Sequence, residues 1–354
     1  MTSAPGPGRE RTSIPVFVPT EQAVSGTQGH VPRMRPGSVR RTTSIDMTWS
    51  DSGNPLNMKQ HLHGRARDVR VPLDGSGDEP AVLAEATVDA TASFDRVIQS
   101  VSTTPTRAGI EQLVGARGGS QLRGAIDIAL PGERAAGTPL HLLLDDLAGC
   151  TLIAGFVWTR FMPELVRQRS TQGEEHRNRM EGVCIGFAPG SSSLSVDRDT
   201  LGDYTQVVTS LVHPEEPDGW HAFPESAEMS MRRARRIDVW VEHTTAGDTI
   251  HVDSSFQDSS GDPEFGRVAV HEYGLMATAD RATGELTAGT ADPRVLPFLE
   301  CPGAVDNITR LVGRPLQELR SAVPEMLGRT NGCTHLNDAL RALAEVPILA
   351  EQLD

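Results

Sequence analysis

The sequence predicts an α+β protein made of two tandem copies of a small antiparallel sheet followed by about three helices, together forming a pseudo-dimer. Three observations predict this. A set of short motifs recurs in one order along the chain. The first part of each copy alternates apolar and polar residues, as half-buried strands do. The second part of each copy switches to helical spacing.

The recurring motifs are individually short. Arg40-Arg41 with Ile45-Asp46 faces Arg235-Arg236 with Ile237-Asp238, and His61…Asp68 faces His251…Asp258. Glu85…Ala90-Thr91 faces Glu272…Ala277-Thr278, and Pro105…Arg107 faces Pro293-Arg294. Leu113-Val114-Gly115 faces Leu311-Val312-Gly313, and Gly137-Thr138…Leu142 faces Gly332-Cys333…Leu336. Six pairs in the same order are the argument; no single pair is.

Val82–Ile98 and Arg267–Ala279 carry the alternation, with turn residues at Asp262-Pro263 and Ala282-Thr283-Gly284. Ala304, Ile308, Leu311 and Val312 keep helical spacing, as do Leu316, Leu319 and Val323. Pro302 and Pro315 stand where a first helical turn accepts proline. A last helix begins near Thr334 and places Leu336, Leu340, Leu343 and Val346 on one face.

These patterns divide the chain into a disordered tail (1–38), a first repeat (39–155), a connector or lid (156–231) and a second repeat (232–354). The tail is rich in Pro, Gly, Ser and Thr and has no apolar segment. The connector is loop-rich, with one helix expected around Pro163–Arg179. Long irregular connections in compact proteins often serve function.

Composition limits the function classes. A net charge of −14 argues against nucleic acid or an anionic membrane as partner. The stretch Leu140–Phe156 comes nearest to a membrane span, but Asp145 and Asp146 interrupt it. Lys59 is the only lysine and lies outside any Gly-rich loop, which removes phosphate-loop and lysine-imine chemistry. No dinucleotide-binding glycine pattern, no Gly-x-Ser-x-Gly elbow and no Cys-x-x-Cys pair occurs. Cys150, Cys184, Cys301 and Cys333 show no disulfide framework, and a cytoplasmic, reduced protein is expected.

The chemistry-bearing residues concentrate in the second repeat. Thr334 is the expected N-cap of the last helix, with Cys333 just outside it and His335 in its first turn. A helix N-terminus favours thiolate and disfavours imidazolium, so Cys333 becomes a better nucleophile or ligand and His335 stays neutral. Cys301, before Pro302, sits at another helix start. If the two starts converge, Cys301, Cys333 and His335 offer three ligands for zinc or iron, with a fourth from His271, His251 or Asp258. The first repeat has Thr138, Leu140 and Ala84 where the second has Cys333, His335 and His271. The Cys/His set is thus confined to one copy. The plain alternative is that the cysteines are small buried hydrophobes, the reading preferred for Cys150 and Cys184.

Other residues have quieter readings. His271 and Tyr273 should share one strand face and Glu272 the other. Asp46, Asp68, Asp238 and Asp258 recur in both copies, which suggests turn or hydrogen-bonding roles. The run Arg232-Arg233-Ala234-Arg235-Arg236 reads as a solvated strand lead-in, with an anion clamp as alternative. Trp220-His221 is either a ligand contact or a loop anchor.

Glu300-Cys301-Pro302, Leu311-Val312-Gly313 and Gly332-Cys333-Thr334-His335-Leu336 together resemble a bacterial family defined only as domain of unknown function 2889. The likeness is close over about Arg235–Glu345 and weaker over Arg40–Val69, and it implies no activity. A fold-level likeness to iron–sulfur scaffold proteins of the NifU and SufU type rests on the order strands, cysteine at a helix start, cysteine opening a late helix. That type carries three cysteines, whereas two stand in the matching region here.

Two functions follow as expectations. The first is a small-molecule hydrolase or lyase acting at a carbonyl or acyl group, with Cys333, Cys301, His335 and His271 as catalytic residues. The second is a non-catalytic metal- or ligand-binding or scaffold protein.

Overall fold

The computed structural model describes residues 24–50, 58–164, 166, 179–194, 204–224 and 228–354. Much of the expected helix at Pro163–Arg179, and residues 1–23 of the expected tail, lie outside them.

The chain is α+β, as expected, but the strands of both halves lie in one antiparallel sheet of nine strands. The first half supplies β1 (Ser38–Trp49), β2 (Gln60–Val71), β3 (Ala81–Ala92) and β4 (Ile98–Thr104). A two-residue strand, β5 (Gln206–Val207), comes from the connector. The second half supplies β6 (Met231–Thr244), β7 (Gly247–Asp262), β8 (Gly266–Asp280) and β9 (Leu286–Val295). The order is β4-β3-β2-β1-β6-β7-β8-β5, with β9 also on β8. The halves join where β1 pairs with β6 over ten residue pairs, from Ser38 opposite Trp240 to Met47 opposite Met231.

Helices cover one face. The first half contributes α1 (Ser120–Ala129), α2 (Pro131–Ala135), α3 (Pro139–Ile153) and α4 (Phe156–Phe161). The second contributes α5 (Leu319–Met326), α6 (Thr334–Ala342) and α7 (Val346–Glu351). The helical spacing at Ala304–Leu311 becomes a 3-10 segment, Cys301–Leu311, not an α-helix. Two apolar clusters result, one with Ile45, Leu62, Val88, Leu143 and Leu147, the other with Ile237, Phe256, Leu275, Leu319 and Leu336. The segment Pro139–Phe161 is long and apolar enough to cross a membrane, yet 78% of its apolar window is buried inside the protein, as a core helix is.

The opposite face is covered in its centre by chain expected as tail and connector. Val31 and Trp220 are buried there against Ala234. His221 is 5% exposed and hydrogen bonds to the hydroxyls of Thr42 and Ser44, so Trp220-His221 is a loop anchor.

The arginine run is not solvated. Arg40, Arg41, Arg233, Arg235 and Arg236 are each about 1% exposed. The physical reason is that each finds a carboxylate one strand or one helix away. Arg41 is bidentate to Asp68, and Arg233 is bidentate to Asp258. Across the β1–β6 seam, Arg40 binds Asp238 and Arg232 binds Asp46.

On the helix face the Arg41–Asp68 and Arg233–Asp258 pairs join a largely buried lattice of six guanidinium groups and six carboxylates. Asp145 of α3 takes Arg123, Arg320 and Arg341. Glu345 takes Arg320, Arg41 and His141. Asp338 takes Arg123 and Arg233, and Asp146 takes Arg235. Gly149 lets α3 approach: a Cβ there would lie 2.2 Å from Arg233 Nη1 and 2.8 Å from Asp338 Oδ2.

Candidate functional site

The site is built where the second-half strands meet the starts of two helical segments. On β7 and β8, Asp258 lies opposite His271, next to a bulge between Asp258 and Ser259. Strand alternation then aims Asp258, His271 and Tyr273 at the helices and Glu272 at the other face. Glu272 is 2% exposed there and accepts from the Gln28 backbone and the Gln257 amide. Burial raises its pKa.

From the helix side come Cys301, at the start of the 3-10 segment, and Cys333 and His335 at the start of α6. Cys333 itself, not Thr334, holds the N-cap position, with φ −105° and ψ 132°. This moves the thiol one residue closer to the helix than expected. Its sulfur lies 3.9 Å from His335 Nδ1, with the Cys301 thiol and the Tyr273 ring beside it, and the Tyr273 hydroxyl makes no hydrogen bond.

The other ring nitrogen of His335, Nε2, faces Asp258 Oδ2 at 3.7 Å. His271 stacks on His335, with ring centroids 3.4 Å apart and planes 16° from parallel. His271 Nδ1 lies 3.7 Å from the same carboxylate oxygen and makes no hydrogen bond. Arg233 fixes the carboxylate from behind at 2.8 and 3.0 Å. Asp258, His271 and His335 present ligand atoms all within 4.8 Å of one another.

Electrostatics divide the proton states. The hydrogen bond from Cys301, with that from His335, holds the Cys333 thiol well below its usual range despite burial. The same bond, with burial, raises Cys301. Of the two sulfurs, Cys301 therefore holds its proton the more tightly. Burial, then the neighbouring His335 and Arg233, pushes His271 well down, so its imidazole is neutral. Burial raises Tyr273.

All four site residues expected from sequence, Cys301, Cys333, His335 and His271, are brought together. Of the fourth-ligand candidates, Asp258 and His271 are present, but His251 is not. Its ring stacks on Trp240 and its Nε2 binds Glu242. The expected solvated Arg233 and the expected plain hydrophobe Cys184 also belong to the neighbourhood. Cys150, buried on α3, lies in the field of Arg233 and Asp258, and burial raises its pKa. In the first half, Ala84 lies opposite Asp68, and Thr138 caps α3 by accepting from His141 N–H. No thiol or imidazole stands at those two places.

Fold and site together define an α+β protein with a buried thiol–imidazole–carboxylate centre. Residues 231–349, from β6 into α7, match the model of a family described as "Protein of unknown function (DUF2889)". Neither the curated proteins nor the solved structures give a match.

Proposed function

We propose that Cys301, Cys333 and His335 hold a thiophilic metal ion, zinc or iron, and that the protein's role is built on this centre. The observation that carries the reading is the two-sided placement of His335: Nδ1 toward Cys333 and Nε2 toward Asp258. A metal-binding histidine characteristically directs its second nitrogen at a carboxylate, which sets its tautomer and orientation. Arg233 holds that carboxylate in turn. Thiolate and imidazole donors suit zinc or iron and not magnesium or calcium. Binding displaces the proton on Cys301, so affinity rises with pH.

The test is metal content of protein purified without chelator, beside Cys333→Ala. About one zinc or iron per chain is expected in the parent, falling to background in the variant. Equal content in both, or none in the parent, overturns the reading.

The hydrolase or lyase reading draws on the lowered pKa of Cys333, which suits a nucleophile toward a carbonyl or acyl carbon. Against it, Cys301 and Cys333 are 3% and 1% exposed. A cavity of about 390 Å³ lies on the other sheet face, lined by Asp46, His61, His63 and Asp89. The geometry therefore favours a metal-binding protein over a thiol enzyme. Four free cysteines suit a reducing compartment, and we place the protein in the cytoplasm.

We also read the chain as two copies of one unit, a pseudo-dimer about the β1–β6 seam. The motif order aligns Arg40-Arg41 with Arg235-Arg236, whereas the ion pairs align them with Arg232-Arg233. Arg40 and Arg232, Arg41 and Arg233, and Asp46 and Asp238 stand at one constant offset. Arg40–Asp238 and Arg232–Asp46 are exchanged across the seam, and Arg41–Asp68 and Arg233–Asp258 repeat within each half. Bulges fall after Asp68 and after Asp258. Relatives holding a single unit should then be homodimers in size-exclusion chromatography with light scattering; monomers with the same fold would sink this reading.

A further inference from the structure

The hollow of about 390 Å³ on the sheet face away from the helices has the size of a small-molecule site. Two rungs of the first-half strand ladder line it. One runs Asp46, His63, Asp89, Ser102 from β1 to β4, and the next runs Thr48, His61, Thr91, Ser100. Every one of these side chains is polar, where small-molecule sites are usually apolar with a few polar groups.

The same two rungs of the second half run Asp238, Asp253, Met276, Thr290 and Trp240, His251, Thr278, Ala288. On the two-copy reading Trp240 stands where Thr48 does. Its indole stacks on His251 with ring centroids 5.2 Å apart, and the Arg35 guanidinium lies over it at 4.4 Å. The second half thus puts an aromatic ring where the first half leaves space.

The hollow also borders an unmet hydrogen bond. The Asp46 side chain is 9% exposed, and its Oδ1 accepts from Arg232 Nε at 2.6 Å. Its Oδ2 is buried and has no partner among the described residues. A buried carboxylate oxygen without a donor is costly and calls for an explanation. Asp89 brings the second carboxylate. Arg65 donates to His63 Nε2 at 3.1 Å, so the ring proton is on Nδ1 and goes to Asp89 Oδ1 at 2.6 Å. Each carboxylate therefore has a guanidinium associated with it, directly for Asp46 and through His63 for Asp89. The hollow wants hydrogen-bond donors and needs no further positive charge.

We propose that this hollow binds a small neutral polyhydroxylated molecule of the monosaccharide class. Its hydroxyls donate to Asp46 Oδ2 and Asp89, as hydroxyls do most strongly to carboxylates, and exchange hydrogen bonds with Thr48 and Ser102. An ammonium ligand would add charge to a balanced site. The site uses no residue of the thiol–imidazole centre and lies on the other face of the sheet, so it stands or falls apart from the metal reading.

Saturation-transfer NMR on the full chain tests this, with D-glucose, D-galactose and myo-inositol added one at a time at millimolar concentration. At least one of the three should give a difference signal. That signal should fall to background in Thr48→Trp, which places an indole where the second half has one. Met276→Ser, on the matching rung of the second half, should leave it unchanged. Should Thr48→Trp fail to fold by circular dichroism, Ser102→Trp on the edge strand β4 takes its place, with the same loss expected. No signal from any of the three polyols overturns the proposal. A signal that survives in the folded tryptophan variant also overturns it, because the polyol then binds elsewhere. A signal from ethanolamine with none from the polyols overturns the ligand class.

Discussion

Replacing Arg233 with methionine should cost about 3–5 kcal/mol of unfolding free energy, the range for stripping one partner from a buried ion pair. Asp258 is fully buried and its bidentate partner is Arg233. Without the guanidinium, that carboxylate keeps its desolvation cost and loses the charge that offsets it. Asp338 keeps Arg123 and suffers less. Methionine fills similar volume above the Phe256 ring, over which the guanidinium now lies at 4.8 Å. The double variant with Asp258→Leu should recover much of the loss, because no charge is then stranded. Urea denaturation of the three variants checks this. A single-variant loss under about 1 kcal/mol, the scale of an exposed pair, would mean that the pair is not what holds Asp258 in the core. On the metal reading proposed above, the same substitution should also weaken metal binding, since the carboxylate facing His335 loses its own anchor.

The second large effect is on acid stability. Burial alone would raise the Glu345 carboxyl. The His141 hydrogen bond and the charges of Arg320 and Arg41 outweigh it and bring the pKa to about 2, against an ordinary 4.5. The folded value lies below the unfolded one. The stabilisation is therefore complete above about pH 4.5 and is lost as pH falls toward 2. Its size is about 3 kcal/mol, at about 1.4 kcal/mol per unit of pKa difference. Asp145 and Asp338 are also held below their usual range despite burial, by Arg320 and Arg123 among others, and add to the same acid limb. Unfolding free energy measured from pH 7 down to pH 2 should fall, and Glu345→Gln should flatten part of that fall. An unchanged slope in the variant would exclude Glu345 as its source.

Much of the candidate site was legible because it obeys local rules. Cys333 and His335 sit two residues apart at a helix start, and their absence from Thr138 and Leu140 marked them. His271 stood out because Ala84 occupies its place in the first half. Arg233 was misread because a run of arginines looks solvated until the partner strand is known. Asp68 and Asp258 recur with Arg41 and Arg233, and that recurrence was the available signal. The one-sheet arrangement was not legible, because pairing between β1 and β6 leaves the same alternation whether the strands are neighbours or edges. Cys184 carried no local mark at all. Its place near Cys301 comes from Gly186 and from the Ile185–Gly332 hydrogen bond, which only the folded chain brings near.

The ion lattice has a consequence for how the chain is made. Its first-half members are Arg41, Arg123, Asp68, Asp145 and Asp146, one charge short of neutral, and the second half carries the compensating excess in Arg233, Arg235, Arg320, Arg341, Asp258, Asp338 and Glu345. During synthesis the N-terminal portion leaves the ribosome with Arg123 as the lattice arginine available to Asp145, and with Arg235, the partner of Asp146, still to be made. The set around Asp145 is complete only once Arg341 has emerged. The two halves should therefore complete their native interiors together and unfold in one transition, whatever their ancestry.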